Sequence, residues 1–299
     1  MSNQTKEQIS LRDQQKLLER VRRLKLRCES AIDRDFAGSY DSTVKGSGIE
    51  FEETRPYQPG DDVRAMDWRV SARTGIPHIR RFREERRTTL HLIVDGSGSL
   101  HLAGRSPYEI ATELAALLAL LAASEGDQIG LTLFAEAIVR TVPPAGGIEH
   151  ALLILRELAY HNPRGRGTSI NCALEHICRA ERRRGVMVLI SDFIAEDLEH
   201  TLIRAAAQHH IIPVVITDPL DTTLPSSGLL SVRDRETGRT RWIDAFSRRQ
   251  RRAWKEGVQA ANTQRDQLFR RLNLKPLKLD TQIDVPLALR RYLEEGGRV

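Results

Sequence analysis

Residues 90–99 read Leu90-His91-Leu92-Ile93-Val94-Asp95-Gly96-Ser97-Gly98-Ser99, and this stretch decides how the chain is read. The run from Leu90 to Val94 has the length and apolar character of a buried strand. It ends in D-x-S-x-S, which sets three oxygen side chains at alternate positions just past the strand tip. Side chains placed this way can all face one small hard cation. Gly96 and Gly98 let the backbone turn tightly between them. Two more oxygen-bearing residues fall at comparable places. Thr168 lies in Gly167-Thr168-Ser169-Ile170, where a helix is expected to open, and Asp192 follows the apolar run Val186 to Ser191. The side chains of Asp95, Ser97 and Thr168 are expected to point out of the sheet tip, away from the core.

Outward from this stretch the chain alternates strands and helices. Strands are predicted at Leu90–Val94, Ile129–Phe134, Ile138–Val142, Val186–Ile190 and Ile211–Thr217, with a weaker one at Pro276–Leu279. Helices are predicted at Pro107–Ser124, Ile148–Tyr160, Ser169–Arg184, Leu198–His209 and Ala245–Leu272. Apolar strands between amphipathic helices predict an α/β fold: a doubly wound, mostly parallel sheet with helices on both faces. Only Ala135 to Ala137 separates the second strand from the third, so one antiparallel edge strand is expected. In such sheets ligands bind beyond the strands' carboxyl ends, where the strand order reverses. Asp95 and Asp192 both fall there. A hairpin is expected over Leu229–Ile243, turning at Glu236-Thr237-Gly238.

A smaller N-terminal section precedes the sheet. Leu11, Leu18, Val21, Leu24, Cys28 and Ile32 share one face of a predicted helix over 11–33. That face packs either internally or against another chain. Strands follow at Gly48–Thr54 and Ile76–Arg83. The expected organisation is a tail over 1–10, a helix and β section over 11–88, and the α/β domain over 89–299.

The 299 residues are 40% hydrophobic and 29% charged, an ordinary globular composition. The net charge of +6 comes from 46 basic and 40 acidic residues, a mixture of signs that permits an acidic partner without requiring one. Three cysteines without C-x-x-C argue against a disulfide framework or a cysteine zinc site and fit a reducing cytoplasm. The longest apolar run, Leu114 to Ala123, is about half a membrane span. It reads as a core helix, and no membrane span is expected. Arginine clusters at 80–81, 86–87, 182–184 and 248–252 are interleaved with glutamates or lie on helices, where charge runs are usually solvated faces. Nucleic-acid binding is not expected. The nine histidines show no metal-ligand spacing.

Asp95, Ser97, Ser99, Thr168 and Asp192 together resemble the metal-ion-dependent adhesion site of von Willebrand factor A domains. An all-oxygen set of hydroxyls and carboxylates suits Mg²⁺, with Mn²⁺ as the alternative occupant. The resemblance implies a site that grips a carboxylate of another protein and catalyses nothing. A second resemblance lies upstream, in Arg55-Pro56-Tyr57-Gln58-Pro59-Gly60-Asp61-Asp62-Val63-Arg64-Ala65-Met66-Asp67-Trp68 followed by Ser71-Ala72-Arg73. This is similar to the signature R-x-Y-x-P-G-D-D-x-R-x-I-D-W-x-x-S-A-R of the domain-of-unknown-function 58 family, with Met66 in place of isoleucine. With the α/β domain the likeness covers roughly residues 35–295.

Membership in that family implies a chaperone-like adaptor that acts with a MoxR-type AAA+ ATPase and other von Willebrand A-domain proteins, in protein assembly or metal-cofactor insertion. Many relatives carry transmembrane helices before the signature. None is seen here, so a cytoplasmic protein is expected. In the signature, Arg55, Arg64 and Arg73 can pair with Asp61, Asp62 and Asp67. Gly60 completes a turn, and Tyr57 and Trp68 offer apolar bodies with polar tips. The segment is either a structural clamp or a docking surface. The competing function is a metal-dependent hydrolase or phosphatase. Against it, Ser97 stands where phosphotransfer enzymes of the D-x-D type place the second aspartate. Neither a nucleophile elbow nor a P-loop is present.

Overall fold

The computed structural model describes residues 22–26, 28, 30–32, 36, 39–40, 53–58, 66, 68–81, 88–97, 106–161, 167–194, 198–218, 228–233, 240–244 and 246–295. The first elements are β1 (Glu53–Pro56), α1 (Trp68–Thr74), β2 (His78–Arg81), β3 (Thr89–Asp95), α2 (Pro107–Ser124), β4 (Gln128–Phe134), β5 (Ile138–Gly146) and α3 (Ile148–Tyr160). They continue with α4 (Ile170–Ala180), β6 (Val186–Ser191), α5 (Glu199–Gln208), β7 (His210–Thr217), β8 (Leu229–Arg233), β9 (Thr240–Asp244), α6 (Arg248–Arg271), β10 (Leu277–Asp280) and α7 (Val285–Glu294).

Six strands form the central sheet in the order β10-β7-β6-β3-β4-β5. All neighbours are parallel except β5, which runs antiparallel to β4 at the edge. The chain leaves β3 toward β4 and β5, then returns to the other side for β6, β7 and β10. The order therefore reverses between β3 and β6, and the sheet is doubly wound as expected.

The period of two along β3 divides the core. Leu90, Leu92 and Val94 face one layer, where they pack with Leu114, Leu117 and Leu121 of α2, Ile154 and Leu158 of α3, and Leu289 and Leu293 of α7. Ile93 faces the other, with Ile170, Leu174 and Ile177 of α4, Leu202 of α5 and Phe269 of α6. Helix α2 is the centre of the first layer. It opens with a capping box, in which Ser106 Oγ accepts from the Glu109 amide at 3.2 Å and the Ser106 amide donates to Glu109 Oε2 at 3.4 Å. Among the described residues α2 is long and apolar enough to cross a membrane by length and composition, but 78% of that window is buried inside the protein.

The described part of the N-terminal section joins this same core. Cys28, Phe36 and Tyr40 are buried with the sheet residues, and Leu24, Ala31 and Ile32 pack against them. The apolar face therefore packs internally where it is described. The Arg290 guanidinium of α7 sits 5.3 Å from the centre of the Phe36 ring. The three cysteines are free thiols; Cys28 is buried, Cys172 and Cys178 only partly.

Several boundaries differ from expectation. Helix α4 stops at Ala180, four residues early, because the chain must straighten to enter β6. There Gly185 passes so close to β3 that a Cβ would stand 2.7 Å from the Thr89 carbonyl oxygen. Strand β5 continues through Pro143 and Pro144 to Gly146, which an edge strand tolerates. Helices α1 and α7 were not anticipated. The hairpin pair β8–β9 forms in register Leu229↔Asp244, and β1 pairs antiparallel with β2. The expected turn at 236–238 and the tail over 1–10 lie outside the described residues.

Candidate metal centre

The centre lies at the carboxyl ends of β3 and β6, on either side of the switch point. Val94 is in register with Ile190, so Asp95 and Ser191 close the two strands side by side. The Ser191 hydroxyl donates to Asp95 Oδ2 at 2.8 Å, and the Ser97 amide donates to Asp95 Oδ1 at 2.9 Å. Asp95 is 0% exposed and Ser97 1%. Both side chains are shut away from solvent, yet Asp95 bonds to groups at the strand tips rather than in the apolar core. The hydrogen bond between the Gly96 amide and the Phe134 carbonyl, 2.7 Å, holds the loop down over the end of β4.

His161, just past α3, completes that closure. Its Nε2 lies 2.9 Å from the Gly96 carbonyl oxygen, which requires a proton on Nε2, and a Cβ on Gly96 would collide with the same nitrogen. The ring also rests against Tyr108, with centroids 5.5 Å apart. Gly96 is thus required by a close approach, and His161 positions the loop that carries Ser97.

Thr168 reaches the same edge from the other side. The Ser169 amide donates to the Ala135 carbonyl at 2.8 Å, directly after β4. Ser169, not Thr168, caps α4, its Oγ accepting from the Cys172 amide at 3.3 Å. With the cap served, the Thr168 hydroxyl is left over. It is buried and has no hydrogen-bond partner among the described residues. A buried hydroxyl without a partner costs about 1–3 kcal/mol, and a bound oxygen-seeking group would offset that cost.

Asp192 follows Ser191 and is half-buried. Its Oδ1 accepts from the Ile194 amide at 3.0 Å, a local turn rather than a helix cap; α5 begins later, at Glu199. Between them Phe193 takes a left-handed φ of 57° and packs edge-on against Phe269 at 5.1 Å. Arg265 of α6, its side chain 10% exposed, donates to the Asp192 carbonyl at 3.4 Å. Ser191, His161 and Arg265 carry no motif in the sequence and are brought in only by the fold.

Asp95, Ser97, Thr168 and Asp192 are thus gathered at one sheet edge; Ser99 lies outside the described residues. The set is all oxygen, and one buried hydroxyl lacks a partner, so these residues fit a hard divalent cation. Among the described residues no group of three or more His, Cys, Asp or Glu side chains offers a competing metal site.

The signature segment is described in part. Arg55 pairs with Ile79 across β1–β2, and the Tyr57 amide donates to the Pro77 carbonyl at 2.8 Å. Trp68 opens α1 with 69% of its surface exposed, and Arg73 in the last turn is exposed too. Gly60, Asp61, Asp62, Arg64 and Asp67 lie outside the described residues.

Fold and strand order define a doubly wound α/β domain with a cluster of oxygen-bearing side chains at its switch point. Residues 53–264 match the family described as "Protein of unknown function DUF58", and the chain belongs to that family. It is 35% identical over 231 residues to the uncharacterized protein Rv1480 of Mycobacterium tuberculosis, covering 76% of this chain and 73% of that protein. Among solved structures it is similar to the conserved hypothetical protein BatB from Bacteroides thetaiotaomicron. There the identity is 15% and the TM-score 0.43, over 70% of this chain and 98% of that one. It is also similar to proximal thread matrix protein 1 from the mussel byssus, in a structure with a zinc-occupied MIDAS motif. The identity is 15% and the TM-score 0.36, and the match spans 44% of this chain and 38% of the matrix protein.

Proposed function

We propose that this protein is a non-enzymatic interaction module that takes up a divalent cation, Mg²⁺ or Mn²⁺, at the edge of β3 and β6 and grips a carboxylate of a partner protein there. The observation that carries the reading is the Thr168 hydroxyl, buried and without a partner among the described residues, at the same sheet end as an aspartate already oriented by Ser191 and Ser97. Asp95, Ser97, Thr168 and Asp192 would hold the ion, with Ser99 as the fifth member of the pattern. When bound, the ion supplies a hard positive centre for an incoming carboxylate oxygen. The chain itself fixes the ligands. Ser191 and the Ser97 amide orient Asp95, His161 holds the Gly96 turn, and the Ile194 amide orients Asp192.

We read it, from the resemblance of its signature, as an adaptor or co-chaperone of a MoxR-type AAA+ ATPase, acting with other von Willebrand A-domain proteins in protein assembly or cofactor insertion, and from its cysteine usage as cytoplasmic. The exposed Trp68 supports a docking role for the signature segment. The test is capture of a purified MoxR-type ATPase by the tagged chain in Mg²⁺ and in EDTA, beside Asp95→Asn. Retention that needs both metal and Asp95 is expected. Retention indifferent to both would move the contact to the signature. Phosphate-ester hydrolysis abolished by Asp95→Asn would replace the reading with a metal-dependent phosphatase.

A further inference from the structure

The arginine cluster at 248–252 begins helix α6, and the fold gives it neighbours the sequence did not reveal. No described residue of α6 before Phe269 is buried, so the first five turns lie on the surface. Arg248, Arg251, Arg252 and Lys255 stand at i, i+3, i+4 and i+7, which puts four cations on one helix face. Two acids stand near them: Glu256, paired with Arg252 at 2.7 Å, and Asp244, whose Oδ1 accepts from the Phe246 amide at 2.9 Å. The β8–β9 hairpin ends at the same place. The Asp244 amide donates to the Gln250 side chain at 2.8 Å, and the Arg251 guanidinium donates to the Phe246 carbonyl at 3.2 Å. These contacts hold Phe246, 67% exposed, beside the cations, and Trp242, 63% exposed, stands two residues before Asp244 on β9.

Solvated charge runs do not need exposed Trp and Phe side chains pinned among them. Aromatic residues next to arginines are the composition of a surface that enters the headgroup layer of an acidic bilayer, where the rings sit at the interface and the cations meet phosphates. Binding of a nucleic-acid strand asks instead for a basic groove lined by stacking rings. Here the cations lie along the outer face of one exposed helix. We infer that the tip formed by Trp242, Phe246 and the first two turns of α6 docks this protein peripherally on an acidic phospholipid surface. This surface is separate from the candidate metal centre, yet the same helix links them. Arg265, which touches Asp192, lies about 25 Å along the axis from Arg248 at a rise of about 1.5 Å per residue.

The test is co-sedimentation of the full chain with vesicles of phosphatidylcholine alone and of phosphatidylcholine mixed with phosphatidylglycerol. Binding only to the acidic vesicles, weakening with salt, is expected. The triple variant Arg248→Gln/Arg252→Gln/Lys255→Gln should bind about a hundredfold more weakly. Trp242→Ala/Phe246→Ala should lose about tenfold. Both should melt like the parent, because every altered side chain is exposed. Absence of binding to acidic vesicles, or equal binding to neutral ones, would overturn the inference. So would an aromatic variant that binds as the parent does. Binding of a short RNA, lost in the same variants while vesicles are ignored, would assign the surface to nucleic acid instead.

Discussion

Asp95 and Asp127 are both shut away from solvent, 0% and 1% exposed, at opposite edges of one sheet. Asp127, just before β4, accepts from the Thr88 amide at 2.9 Å and the Tyr40 hydroxyl at 3.3 Å. It ties the strand before it and the N-terminal section to the domain. Asp95, at the end of β3, is likewise bonded by Ser97 and Ser191, but the same sheet end carries the Thr168 hydroxyl, which has no partner among the described residues. Burial of a carboxylate thus does not mark a site. What separates the two is whether the polar groups around it are satisfied by protein.

The largest effect should come from the structural aspartate. Asp127→Ala removes the acceptor shown for the Tyr40 hydroxyl and the Thr88 amide and should cost about 3 kcal/mol in urea unfolding, with no change in cation binding. A cation-binding defect there would dissolve the contrast.

A third buried polar group, His91, supplies the next effect. Burial above all, with the charges of His176 and His209, pushes its pKa down to about 4. The unfolded state takes up a proton near pH 6.5, so the stabilisation is complete above about pH 6.5. It is lost as the pH falls toward about 4, for about 3 kcal/mol in all. Urea unfolding across that range should show the slope in the parent and a flatter profile in His91→Gln.

At the candidate centre the effects should fall on binding. Asp95→Asn preserves shape and should weaken Mn²⁺ binding about a hundredfold, with loss of less than about 1 kcal/mol in unfolding. His161→Ala should cost a smaller factor, about threefold, and His161→Gln, whose amide can still donate to Gly96, should recover it. Equal binding in His161→Ala and the parent would show that the ring packs on the loop without positioning it.

Much of the fold was legible because burial on both sides leaves uninterrupted apolar strands. Leu90–Val94 and Val186–Ile190 needed no other signal, and the three-residue gap after Phe134 announced the antiparallel edge. Helix α7 was legible in principle. Asp284 caps it by accepting from the Leu287 amide at 2.9 Å, and Val285, Leu289, Tyr292 and Leu293 repeat at helical spacing. Helix α1 buries no residue, so no apolar period marks it. The ligand pattern was visible because D-x-S-x-S is contiguous. Its support was not: Ser191 meets Asp95 across 96 residues, His161 meets Gly96 across 65, and Arg265 meets Asp192 across 73. Such contacts exist only once the sheet is wound. Thr168 stands at the opening of the helix as expected, and Ser169 takes the cap.

The Thr168 hydroxyl offers the most direct measurement. Thr168→Val removes one oxygen and no protein hydrogen bond seen among the described residues. Mn²⁺ binding followed by electron paramagnetic resonance, beside urea unfolding in EDTA, separates the two roles. The account predicts unfolding unchanged or slightly more stable and Mn²⁺ affinity lower by about tenfold. Unchanged affinity, or destabilisation by about 1 kcal/mol or more without metal, would contradict it.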